Sequence, residues 1–218
     1  MAEQTEVPGR PRTHDFDRPY WEKHWRQAHR SEPGAGKERG PNPHLARETS
    51  GLTPGTALDA GCGEGGEAIW LASRGWDVTA ADISSEALAR AAGDEVSKKV
   101  EWVQADLTVW APVTQFDLVV THYAHLSMPQ LAFYDRISGW VAPGGTLLIV
   151  GHLHTARSTG HGHHPPAEAS ATPTDITAGL DTARWKIVTA EEHVRTLTAP
   201  DGRSVPLHDV VVRATRHH

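Results

Sequence analysis

The stretch Leu58-Asp59-Ala60-Gly61-Cys62-Gly63-Glu64-Gly65-Gly66 restricts the possible folds of this chain more than any other. A short β-prone run, Thr56–Ala60, leads into it. A helical pattern over Glu64–Arg74 follows, with Ile69 and Leu71 apolar and Gly75 placed to end the helix. Gly61, Gly63 and Gly66 satisfy G-x-G-x-x-G. A turn of this kind uses residues without a Cβ where backbone must approach a ligand. The helix start behind it adds free N–H groups and the positive end of a helix dipole. Taken alone, the pattern does not choose between ligands, or between a ligand and a bare βα turn.

The residues that follow keep the same rhythm. Asp77–Ala81 reads as a strand, and Ser84–Ala92 as a helix with a serine cap that ends at Gly93. Val100–Gln104 and Phe116–Thr121 read as strands, and Pro129–Trp140 as a helix. Ala142-Pro143-Gly144-Gly145 reads as a turn into Thr146–Gly151, whose continuous apolar run suits a buried parallel strand. The tail departs from this alternation. Residues 184–199 and 205–215 look extended around the turn signal Pro200-Asp201-Gly202, after a helix near 173–180 capped by Thr172 with Pro173 at its first position. The expectation is an α/β, doubly wound, Rossmann-like domain. Its seven-stranded sheet is mostly parallel and closed at one edge by a C-terminal antiparallel hairpin.

Before this domain, residues 1–14 show no periodicity and read as a disordered arm. Residues 15–30 form a helix with Trp21, Trp25 and Ala28 on one face, 31–43 a Gly- and Pro-rich loop, and 43–50 a short helix. The chain has 218 residues, a net charge of -6 and one cysteine, Cys62. That balance predicts no disulfide within the chain and no nucleic-acid partner. No apolar run is long enough for a membrane span and no signal-peptide pattern is present, so a cytoplasmic location is expected. His217 and His218 have the form of a purification tag and are left out of the functional reading.

Acidic residues end the next two strands. Asp82, closing Val78-Thr79-Ala80-Ala81-Asp82, is placed to accept both hydroxyls of an adenosine ribose. Asp106 ends the third strand and suits an adenine amino group, with Ile83 and Leu107 as apolar plates for the ring. In order, LDAGCGEGGEAIWLASRGWDVTAADIS, VQADL, FDLVVTHY and APGGTLLIV resemble the motifs of class I methyltransferases that use S-adenosylmethionine (SAM). The likeness is greatest to small bacterial members related to the tellurite-resistance and thiopurine methyltransferase group. It covers about residues 20–151 and continues more loosely through the hairpin. The resemblance implies SAM as cofactor. Asp59 would lie near its amino group, and Gly61, Cys62 and Gly63 would line its aminoacyl arm, Cys62 as a small packing residue. Asp82 would hold the ribose, Asp106 and Leu107 the adenine, and Thr121 and His122 the methionine part. Residues 15–50 would form a helical lid, with Trp25 over the cofactor, and 51–216 the SAM-binding catalytic domain.

Methyl transfer is an in-line displacement that depends on alignment and exclusion of water, with a base needed only where the acceptor must lose a proton. Bases belong at strand tips, so His122 and His125 after the fourth strand and His152 after the fifth are the catalytic candidates, His122 first. The acceptor is expected to be a small molecule with a reactive O, N or S atom, and the protein a monomer or homodimer. His152, His154, His161, His163 and His164 mark a His-rich stretch that reads as a loop over the acceptor pocket, with no metal expected. Two other classes fit parts of the pattern: an NAD(P)-dependent oxidoreductase, and a His-rich metal-binding protein on the same scaffold.

Overall fold

A parallel strand must be followed by a crossover, and the short helices between the apolar runs supply it. The computed structural model describes residues 15–31, 41–91, 95–153, 170–198 and 204–218. The arm 1–14, most of the loop 31–43, Gly93, the Pro200-Asp201-Gly202 turn and His154, His161, His163 and His164 lie outside the described residues. The strands are β1 (Thr56–Ala60), β2 (Asp77–Asp82), β3 (Glu101–Gln104), β4 (Phe116–His122), β5 (Val141–His152), β6 (Trp185–Thr198) and β7 (Ser204–Arg216). They form one seven-stranded sheet in the order β3-β2-β1-β4-β5-β7-β6. The first five strands run parallel, and β7 is antiparallel to both β5 and β6. This is the doubly wound sheet with its closing hairpin that the sequence predicts.

The helices are α1 (Arg18–Ser31), α2 (Pro43–Thr49), α3 (Gly66–Ser73), α4 (Ser85–Ala91), α5 (Gln130–Ser138) and α6 (Pro173–Ala178). Successive side chains of a strand face opposite sides. Leu118, Val120, Leu148 and Val150 therefore join one core with Leu45 and Leu71, while Val119, Leu147 and Ile149 join the other with Phe133, Ile137 and Ile176. Burial on both faces explains why the central strands read as unbroken apolar runs. At α6, the Thr172 hydroxyl accepts the Asp175 N–H (3.1 Å) and the Asp175 carboxylate accepts the Thr172 N–H (3.1 Å), a reciprocal cap with Pro173 next to it. Among the described residues no helix is long and apolar enough to cross a membrane.

The Ala142-Pro143-Gly144-Gly145 signal has a different outcome from the predicted turn. These residues lie inside β5, where Phe116 pairs with Val141 but Leu118 pairs with Thr146. The extra residues are absorbed as a bulge, and Gly144 supplies the positive φ of 78° that it needs. Strand order reverses direction at β1 and β4, and ligands of open α/β sheets bind beyond the carboxyl ends of strands at such a point. Asp59, Asp82, His122 and His152 all lie at or near those ends.

Candidate functional site

The glycine loop is built by its own backbone. The Gly61 and Cys62 N–H groups donate to the Ala81 carbonyl (2.8 and 3.1 Å), and the Gly65 N–H donates to the Cys62 carbonyl (2.8 Å). Asp82 completes the turn: Oδ2 accepts the Gly63 N–H and Oδ1 the Ser84 N–H, each at 2.9 Å. Burial pushes the Asp82 pKa up, and these amides only partly offset it. The third glycine that the loop requires differs from the fingerprint. A Cβ on Gly66 would meet nothing within 4 Å. Gly65 has φ 76°, and a Cβ there would lie 2.3 Å from the Trp102 ring. The fingerprint counts spacing, whereas the conformation falls one residue earlier, at the cap of α3.

Polar atoms without protein partners mark the floor of the site. Asp59 is buried, and its carboxylate accepts a hydrogen bond from the Ala68 N–H, yet Oδ2 has no partner. Burial raises its pKa well above the ordinary range, and the nearby Glu67 and Asp82 charges add to this. Both ring nitrogens of His122 are also buried without partners. Burial pushes the His122 pKa down, opposed by the charge of Glu67. Thr121 lies beside them on β4, its hydroxyl donating to the Ala60 carbonyl (2.8 Å). Buried orphan groups are uncommon and call for a ligand or water. An ammonium suits Asp59, which it would also hold in its charged form, and a carboxylate suits a His122 N–H. These are the two groups at the methionine end of SAM, so the residues present fit that cofactor.

Cys62 is buried, and burial together with Asp59 and Asp82 pushes its thiol well up, which disfavours the thiolate a nucleophile requires. Farther along the site, Ile83 is half-buried and Asp106 Oδ1 accepts the Thr108 N–H (2.9 Å) and hydroxyl (2.7 Å). The Leu107 side chain is buried in the core against which Phe133 packs.

α1 lies across this array. Trp25 stands over the glycine loop, with Cζ2 3.0 Å from where a Gly63 Cβ would be. Arg90 places its guanidinium 6.0 Å from the Trp25 ring and pairs with Glu64 at 2.9 Å. Glu22 accepts from the Ser85 N–H (2.8 Å), the Ser85 hydroxyl (2.9 Å) and the Glu86 N–H (3.3 Å), so a carboxylate of α1 caps the start of α4. At the other rim, the Trp21 indole N–H donates to the His125 carbonyl (3.1 Å). Partial burial pushes the Glu22 pKa up, but the hydrogen bonds from Ser85, Glu86 and Ser84 together outweigh it and leave it below the ordinary glutamate value. A lowered carboxylate pKa stabilises docking above the unperturbed pKa, and that stabilisation is lost as pH falls through the lowered value. Amide exchange in α1 is therefore expected to speed up relative to the sheet on acidification. In Glu22→Gln that pH dependence should flatten.

Beyond the end of β4, His125 and His152 lie together, ring centroids 6.0 Å apart, and Tyr123 stacks on His152 at 4.2 Å. His122 faces the Asp59 side and has no orienting partner; His125 Nδ1 lies 3.3 Å from Gln130 Oε1. Tyr123 holds φ 54°, unusual for a bulky residue, in a network with Asn42, Arg195 and the buried Asp209. Sequence reasoning missed Glu22, Asn42, Gln130, Arg195 and Asp209. The one signal available was Asp209 itself, an acid within the apolar run of β7. Among the described residues no group of three His, Cys, Asp or Glu side chains is arranged to hold a metal ion.

Residues 57–145 match the methyltransferase domain family. Over 96 residues the chain is 41% identical to an uncharacterized methyltransferase of Mycobacterium tuberculosis, covering 43% of this chain and 48% of that protein. The matched stretch thus spans about half the length of the mycobacterial relatives. Over 159 residues it is 30% identical to an Arabidopsis thaliana protein named Probable thiol methyltransferase 2, covering 69% of this chain and 67% of the relative. The structure of a TehB-like SAM-dependent methyltransferase from Corynebacterium glutamicum superposes with a TM-score of 0.58 at 20% identity, covering 91% of this chain and 99% of that one. With the ordered motifs and the sheet topology, these likenesses place the chain in the class I SAM-dependent methyltransferase family.

Proposed function

We propose that this protein moves the methyl group of SAM to a heteroatom of a small molecule by in-line displacement. The observation that carries the proposal is the set of orphaned buried atoms, Asp59 Oδ2 and both His122 nitrogens, at one end of a site whose other end is the carboxylate of Asp82. When bound, SAM supplies a methyl group on a positively charged sulfur that leaves as a neutral thioether. Asp59 takes the ammonium and His122, beside Thr121, the methionine part. The Gly61–Gly63 backbone lines the aminoacyl arm, and Asp82 accepts the ribose hydroxyls. Asp106, with Ile83 and Leu107, closes on the adenine. As a lid, α1 keeps water from the reacting atoms, with Trp25 over the glycine loop and Trp21 on the β4 tip.

The acceptor enters on the side of His125 and His152. Burial pushes the His125 pKa down, with Gln130 opposing, so the ring is a neutral imidazole at neutral pH and able to take a proton. This favours acceptors that still carry a proton, such as a hydroxyl or thiol. The thiol named for the Arabidopsis relative is in keeping with that. The net charge of -6 favours a small molecule over nucleic acid.

Isothermal titration with S-adenosylhomocysteine (SAH) tests the reading. Saturable binding is expected, weakened at least about tenfold in Asp82→Ala, the loss of roughly one charge-assisted hydrogen bond. Absence of SAH binding, or tight NADH binding in its place, would overturn it.

A further inference from the structure

We propose that Gln130 is a positioning residue for His125: it fixes the imidazole proton on Nδ1 and leaves Nε2 as the atom that accepts a proton from the acceptor. The assignment follows from the donors and acceptors around one amide. Gln130 Nε2 lies 3.0 Å from the Ala124 carbonyl oxygen, which can only accept. The amide nitrogen must therefore sit there, since the reverse orientation would set two acceptors against each other. That leaves Oε1 as the atom 3.3 Å from His125 Nδ1. A carbonyl oxygen cannot donate, so Nδ1 carries the hydrogen and the lone pair is on Nε2.

The surroundings hold this arrangement. Gln130 is buried, at the first position of α5 just after Pro129, and the Tyr134 hydroxyl is hydrogen-bonded to the same amide. The His125 main chain is held by the Trp21 indole N–H, and its ring lies between Phe16 (5.6 Å) and His152 (6.0 Å). The amide thus plays towards this imidazole the part that a backbone carbonyl or a carboxylate plays towards other basic histidines: it selects the tautomer and aims the ring. In the transfer step the acceptor heteroatom forms a bond to the methyl carbon as the carbon–sulfur bond breaks. The electron pair of that bond stays on sulfur, and the acceptor's proton passes to His125 Nε2. The source of the proton rests on the methyl-transfer reading; the tautomer does not.

Long-range proton–nitrogen NMR on the full chain labelled with 15N-histidine tests the assignment, with the His125 signals identified by their loss in His125→Asn. At a pH where the ring is neutral, the wild-type protein is expected to show the Nδ1–H pattern for His125. Gln130→Ala should move it towards the Nε2–H form that free imidazoles favour. With His125 assigned, an Nε2–H pattern in the wild-type protein would overturn the proposal whatever the Gln130 variants do, and so would an unchanged pattern in Gln130→Ala. The spectra need neither cofactor nor acceptor, so their outcome is separate from a failure of SAH to bind.

Discussion

Replacing Gly65 with alanine is expected to lower the melting temperature by about 6–12 °C, while Gly66→Ala leaves it within about 2 °C. The larger figure follows from two costs at one position. Gly65 holds φ 76°, where an alanine is strained. Its Cβ would also lie 2.3 and 2.7 Å from the Trp102 ring and 3.1 Å from the Ala91 Cβ. Trp102 cannot swing aside freely, because its indole N–H donates to the Ser97 carbonyl (3.0 Å). Overpacking and backbone strain together cost about 3 kcal/mol. Gly66, in contrast, begins α3 with open space around it, and alanine is the better helix former. Calorimetric scans of the two variants check the assignment, and equal effects at the two positions would contradict it.

Asp209→Ala is expected to cost about 3 kcal/mol in denaturant unfolding. The carboxylate is fully buried on β7, opposite His152. Oδ2 accepts from Arg195 Nε (2.6 Å) and lies 3.2 Å from His44 Nε2, while Oδ1 accepts the Tyr123 hydroxyl (2.9 Å). Burial, together with the charges of His193 and Arg47, pushes the His44 pKa down against the opposing pull of Asp209, so His44 acts as a neutral N–H donor and Arg195 is the counter-charge. Removing the carboxylate leaves three donors without their acceptor. Arg195 recovers part of the loss, because 30% of its side chain is exposed to water. Asp209→Asn keeps an acceptor but not the charge, and should fall between wild type and Asp209→Ala. An unfolding free energy for Asp209→Ala within about 0.5 kcal/mol of wild type would mean that the network contributes little to stability.

The contrast between these two sites shows what the sequence made legible. β1, β2 and β4 and the Thr172-Pro173 start of α6 follow from local pattern, because both strand burial and helix capping act over a few residues. The placement of Asp59, Asp82 and His122 at strand ends follows from the same reading. Gly65 was passed over because a spacing rule records which residues are glycines, not which of them takes a positive φ. The Asp209 network was beyond reach for a different reason. Its partners come from α2, the residue after β4, and β6, and His44 and Asp209 are 165 positions apart. No periodicity links them. Gln130 lies close to His125 in sequence, but its meaning depends on the direction of one amide, which only the Ala124 carbonyl fixes.

α1 is fastened at two places: Glu22 and Trp25 hold it at α4 and the glycine loop, and Trp21 at the His125 carbonyl. If ligands exchange by lifting this helix, then arrival of one substrate and departure of the other product are no longer independent events. A single motion would then expose both regions, so an α1 held shut would block cofactor and acceptor exchange together. The pace of turnover would then be set by release of α1 instead of by the transfer itself.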